Sequence, residues 1–161
     1  MEPEDYGESF AVTVTRVAGR WQVREYDDDF ETIATAVAAV RALRSEGPAF
    51  ALLCVEDDYF VIVRPTPQRV KLLLSDAVAA VEDDFAAAIL DEMDAEIPLD
   101  ATEDDAWAEG DFGILADLGL SEQVLGVIAD DDEAWPSEQL VRIAEELDFD
   151  SELLDATGLD E

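Results

Sequence analysis

Three apolar runs stand almost back to back in the middle of this chain: "AFALLCV" (Ala49–Val55), "YFVIVRP" (Tyr59–Pro65) and "VKLLLS" (Val70–Ser75). Each has the length of a strand. The first two are apolar without alternation, so both of their faces need cover. Only "EDD" and "TPQR" join the three runs. Connections this short cannot make the crossover that parallel strands require. The runs therefore predict an antiparallel meander in the middle of a sheet.

Upstream, "SFAVTVTRV" (Ser9–Val17) places Phe10, Val12 and Val14 on one face, and "WQVREY" (Trp21–Tyr26) alternates again after Ala18, Gly19 and Arg20. This is the pattern of a hairpin. Residues 1–8 read as a tail. In "DDDFETIATAVAAVRALRSEG", Phe30, Ile33, Val37 and Val40 recur at helical spacing. Asp28 and Glu31 have the spacing of a capping box. Arg41 and Arg44 suit the C-terminal dipole, Gly47 reads as the residue just past the helix, and Pro48 stops it. After Ser75, "DAVAAVEDDFAAAILDEM" predicts a second helix, broken near Asp83. The order is β-β-α-β-β-β-α, which implies an α+β fold with a five-stranded, mostly antiparallel sheet and helices on one or both faces.

A small acidic C-terminal helical unit is expected to follow. Residues 95–111 are acidic and lack periodicity, so they read as a linker between a sheet domain at 1–94 and a helical domain at 112–161. "FGILADLG" ends at Gly119, Ser121 reads as an N-cap, and Pro136 fits a first helical turn. Leu140, Ile143, Ala144 and Leu147 share one face. A unit of this size stabilises itself poorly, so it should pack on the sheet domain or on a partner.

Charge is divided unevenly. The 161 residues carry a formal charge of −33. Residues 1–71 hold 8 basic and 13 acidic groups, whereas residues 72–161 hold 1 and 29. The single cation of the second half is Arg142. Adaptation to a salt-rich cytoplasm would explain the acid but should coat both halves. A surface this acidic repels nucleic acid and anionic membrane and attracts a basic protein face. The expected partner is therefore a protein with a basic surface, with no direct nucleic-acid contact and no membrane. The first residues are acidic without an apolar core, and no apolar run approaches the ~20 residues of a membrane span, so a cytoplasmic location is expected.

The acid does not carry the spacing of a known reaction centre. The chain has no His and one Cys, which argues against zinc and against Ser-His-Asp or Cys-His catalysis. No phosphate-cradling glycine motif occurs. Both runs closest to a calcium loop fail at the glycine position, which Leu153 and Trp135 occupy. No catalytic residue, cofactor or metal ligand is therefore expected, and the protein reads as non-enzymatic. Ser75-Asp76 is the most site-like dipeptide, but it reads first as a strand stop with a helix N-cap. Cys54 reads as core, and Asp57 and Asp58 as turn residues. For a partner surface the leading candidates are Asp130, Asp131, Asp132, Glu133 and Trp135, with Glu103, Asp104, Asp105 and Trp107 second. Each has an ordinary reading beside it, the acids as solvated loop and the tryptophans as anchors of the helical unit. Two other classes stay open. A carboxylate- or cation-dependent enzyme would show an apolar pocket holding convergent acids with raised pKa, and a small-molecule or signalling module would show a formed cavity in the sheet domain.

Four blocks carry a resemblance: "DDYFVIVRP", "VKLLLSDAVAAVEDDFAA", "GDFGILADLGLS" and "WPSEQLVRIAEELDF". In this order and spacing, from about Ser9 to about Leu154, the chain resembles the actinobacterial family of tRNA adenosine deaminase-associated proteins. The resemblance implies an accessory role near that deaminase, largely through gene neighbourhood, and makes the deaminase the favoured partner. It assigns no site residues. The deaminase itself needs the zinc motifs H-x-E and P-C-x-x-C, and this chain has neither.

Overall fold

The structure, a computed structural model, describes residues 9–26, 28, 30–44, 47–55, 58–98, 107–131 and 133–157. The hairpin forms as expected, with β1 (Phe10–Val17) against β2 (Arg20–Glu25). The meander supplies β3 (Ala49–Val55), β4 (Tyr59–Pro65) and β5 (Val70–Leu74). Every pairing is antiparallel, and the spatial order is β2-β1-β3-β4-β5. The chain leaves β2, passes through α1 (Ile33–Ala42) and re-enters the sheet on the far side of β1.

The sheet has six strands among the described residues, not five. Glu109–Gly110 forms β6 on the outer edge of β5, in register with Leu74 and Leu73. These two residues lie in the stretch read as a linker. They are too few to show any periodicity, and what lets them pair is local. Gly110 sits at φ 135°, and a Cβ there would collide with the Leu72 carbonyl. The element order becomes β-β-α-β-β-β-α-β-α-α-α, with short 3-10 turns at Ala77–Val81 and Ala116–Leu118.

Helices cover both faces. On one, Ala51, Leu53, Val61, Val63 and Leu74 pack under α1 and α2 (Asp84–Glu92). On the other, Val12, Val14, Leu52, Phe60 and Ile62 pack under α3 (Glu122–Ala129), α4 (Pro136–Leu147) and α5 (Asp150–Thr157). Leu140, Ile143, Ala144 and Leu147 line the buried face of α4. Phe149 is fully buried, with Trp21 and Phe50 as ring neighbours at 4.9 and 6.2 Å. Cys54 is core, as expected.

Two local readings around α1 need correction. Asp28 and Glu31 do not form a capping box. The helix begins at Ile33, and Asp28 instead accepts the Phe30 N–H at 2.8 Å and the Tyr26 hydroxyl at 2.6 Å. Phe30 adopts φ 54°, and its ring meets Phe85 of α2 at 6.2 Å, so tertiary packing overrides the local signal. Gly47 does not end the helix. The chain turns at Arg44 (φ 50°), and Gly47 lies against β1, where a Cβ would collide with the Arg16 carbonyl.

The corner between α3 and α4 is held by polar groups from α4. Buried Gln139 donates from Nε2 to the carbonyls of Ile128 (2.8 Å), Ala129 (3.3 Å) and Asp131 (3.2 Å). Arg142 reaches Asp131 Oδ2 at 2.7 Å, and Asp131 Oδ1 accepts the Glu133 N–H at 3.0 Å. Glu138 accepts the Trp135 N–H at 2.9 Å and so caps α4. Replacing Gln139 by Leu keeps the bulk but removes these three hydrogen bonds, with the Ile128 and Asp131 carbonyls keeping backbone N–H partners. It should lower stability by about 1–3 kcal/mol in equilibrium unfolding, and an unchanged unfolding midpoint would contradict this account of the corner.

Arg64 of β4 ties the 114–118 turn to the sheet, donating to Ile114 O (2.7 Å) and to both oxygens of Asp117 (2.7 and 2.9 Å). The hydrogen bond from Arg64 holds the Asp117 carboxyl below its usual range. A depressed carboxylate stabilises the fold above its unfolded pKa, near 4, and loses that contribution as pH falls through the folded value. Asp117 is largely exposed, so the pair should contribute less than about 1 kcal/mol. Asp117→Asn is therefore expected to lower the melting temperature slightly at pH 7, with the gap to wild type closing as the solution is acidified through the folded pKa. A gap that widens on acidification would reverse the sign assigned here.

Candidate functional site: an acidic cleft with two exposed tryptophans

The β3–β4 turn and the end of β5 meet at one end of the sheet because β4 pairs with both strands. The α3–α4 corner lies against the same end. Together they form an open cleft of about 320 Å³, lined by Asp58, Asp76, Trp107, Asp130, Asp131 and Trp135 among others. Asp58 and Asp76 also border a broader groove of about 1170 Å³ that runs past Glu82, Asp83 and Asp84.

Each wall has a local cause. Ser75 is buried at the end of β5, and its hydroxyl accepts the Phe60 N–H at 2.8 Å, which fixes where the strand stops. Asp76 then caps the following 3-10 turn by accepting the Val78 N–H at 2.9 Å. Desolvation pushes the Asp76 carboxyl above its usual range, against the lowering effect of hydrogen bonds from Val78 and Ala79. Trp107 is placed by its carbonyl, which accepts the Ala77 N–H at 2.8 Å. Trp135 occupies the N-cap position of α4 with 55% of its surface exposed, and Trp107 is 39% exposed. Outside the cleft, α3 turns Val127 to solvent at 65% exposure.

The structure brings Asp130, Asp131, Trp135 and Trp107 into one cleft, although Trp107 and Trp135 lie far apart in the chain. Asp131 is engaged by Arg142 and by the Glu133 backbone, so it shapes the corner. Glu133 is exposed and does not line the cleft. Asp132, Glu103, Asp104 and Asp105 lie outside the described residues. The sequence reads Asp58 as a turn residue and Asp76 as part of a strand stop and helix cap, and neither is among the partner-surface candidates. The signal that could have found them is the meander, since its register sets the tip of one hairpin beside the end of the third strand.

Chemically, the cleft offers carboxylates beside exposed indole rings. A guanidinium or ammonium group can pair with the first and lie over the second. Among the described residues no group of three or more His, Cys, Asp or Glu side chains is placed to hold a metal ion. Among the same residues no helix is long and apolar enough to cross a membrane.

Comparison with known proteins agrees with the blocks read above. The chain is 47% identical over 151 residues to Protein Rv3753c of Mycobacterium tuberculosis, covering 92% of this chain and 87% of that protein. No solved structure matches. The model of the Rv3753c-like tRNA adenosine deaminase-associated protein family matches residues 9–150, and the chain belongs to that family.

Proposed function

We propose that this protein is a non-enzymatic, cytoplasmic accessory factor that docks through its acidic cleft on a basic surface of a tRNA adenosine deaminase. The observation that carries this reading is the meeting of Asp58, Asp76 and Asp130 with the exposed rings of Trp107 and Trp135 in one cleft. Interfaces commonly draw their energy from a few aromatic anchors surrounded by polar groups, and like-signed carboxylates at the rim select a cationic partner. The family name supplies the candidate partner. An enzyme that handles tRNA must present cations to phosphate, so it has the surface this cleft fits.

Asp76 gives the reading a signature that a structural role would not share. Its carboxylate is half-buried and desolvated. A desolvated acid with raised pKa favours the fold when protonated, and that advantage is lost as pH rises through the folded value. Asp76→Asn keeps an oxygen to accept the Val78 N–H and removes the charge. At pH 7 its melting temperature should equal or exceed that of wild type while its affinity for the deaminase falls. Binding at wild-type strength would remove Asp76 from the interface.

The broader test is co-purification with the cognate deaminase, followed by titration. Trp135→Ala should weaken the complex by about 30-fold, the loss of a typical aromatic anchor of about 2 kcal/mol, without loss of folded protein. Asp130→Asn should weaken it less, with the difference shrinking as salt rises. A deaminase that fails to bind at any salt, or a Trp135→Ala variant that binds like wild type, would overturn the assignment.

A further inference from the structure

The register that builds the acidic cleft gathers the cations at the opposite end of the sheet. Val17 pairs with Arg20, Thr15 with Ala49, and Pro65 with Val70, so the end of β1, the starts of β2, β3 and β5 and the end of β4 lie together. Arg16, Arg20, Arg64, Arg69 and Lys71 sit on these segments. The last turn of α1 adds Arg41, which reaches the Thr66 carbonyl at 3.5 Å, and the turn that follows adds Arg44. Seven of the nine basic residues of the chain therefore share one end of the fold.

Arg41, Arg44 and Arg64 line an open hollow of about 680 Å³. Its other walls are Gly47, Ala49, Thr66 and three prolines, with Val40 beneath. Asp117 neutralises Arg64, whereas Arg41 and Arg44 are exposed. The two ends differ in more than sign. The acidic cleft holds two exposed indoles, as a protein interface does. Among the described residues the basic hollow is lined by no aromatic ring, although Arg16 lies over the Trp21 ring at 5.4 Å elsewhere on this end, and six of the seven cations of this end are arginine. Guanidinium groups suit phosphate, which is held by charge and paired hydrogen bonds.

Nearby acid offsets part of this end, since Asp148 and Glu152 share a hollow with Arg16 and Arg20 and Asp117 pairs with Arg64, but the acidic cleft itself lies at the far end of the sheet. β4 spans seven residues between the two ends, roughly 20 Å of strand. The screening length at physiological salt is about 8 Å, so each end acts largely on its own surroundings.

We infer that the basic end contacts the phosphate backbone of the RNA held by the deaminase, so that the protein bridges enzyme and RNA. This rests on the docking of the acidic cleft proposed above. The chain as a whole repels nucleic acid, so the contact operates once the enzyme has brought the RNA close.

The test uses the full chain, the deaminase and its tRNA. The variant is Arg41→Gln with Arg44→Asn, since both arginines are exposed and Asn tolerates the left-handed backbone at position 44. Anisotropy of labelled tRNA is measured with the enzyme alone, with the wild-type complex and with the variant complex. The wild-type complex should bind tRNA several-fold more tightly than the variant complex. Its log–log salt slope should also be steeper by about one to two, roughly the number of phosphates that the two arginines neutralise. Equal affinity for tRNA in complexes that both form would overturn this inference and leave the docking proposal standing. Weaker tRNA binding by the wild-type complex than by the enzyme alone would also overturn it, as would loss of the enzyme itself from the variant, which would place an acidic protein face on the hollow. No complex with wild-type protein would overturn both proposals.

Discussion

Strands β3 and β4 are buried on both faces, and the rest of the molecule is arranged to keep them so. Phe50, Leu52 and Cys54 point to one side and Ala51, Leu53 and Val55 to the other, all buried. A strand of this kind is stable only inside a sheet with helices above and below. That requirement fixes the role of the C-terminal helices. They cover the face that α1 and α2 leave open, and they carry the α3–α4 corner to the strand ends where the cleft forms. The same two-sided burial forces the acid outward, where water solvates it.

Where acid meets the fold, it is put to structural use before it can serve a partner. Asp76 and Asp83 accept backbone N–H groups at helix starts, Asp117 holds Arg64, and Asp131 is shared between Arg142 and a backbone N–H. Arg142, the single cation of the second half, serves the corner that displays Trp135. The carboxylates of the cleft are few, and they are set beside aromatic rings.

Much of the fold was legible because its signals are local. Connections too short for a crossover gave the meander, alternation gave the hairpin, and the spacing of Leu140, Ile143, Ala144 and Leu147 gave the buried side of α4. The strand stop and cap at Ser75-Asp76 fall where they were expected, as does the break near Asp83, where the structure adds a cap from the Asp83 side chain. What was hidden depends on distant partners. Phe30 leaves its helix to reach Phe85, Gly47 is needed for its approach to β1, and β6 exists only because Gly110 fits against Leu72. Composition drew attention to Trp107, Trp135 and Asp130, but Asp58 and Asp76 could join them only through register. Charge misleads most when read along the chain. The cations are scattered from Arg16 to Lys71 in sequence, and the fold collects all of them but Arg24 at one end.

The claim on which the account turns is that the cleft end of the sheet is the docking face. Hydrogen exchange of the protein, free and bound to the deaminase, tests it most directly. Slowed exchange is expected around the cleft, at Asp58, from Ser75 to Ala79, at Trp107 and from Asp130 to Gln139. Protection at the β2 edge or along α2 instead, with the cleft unchanged, would contradict it.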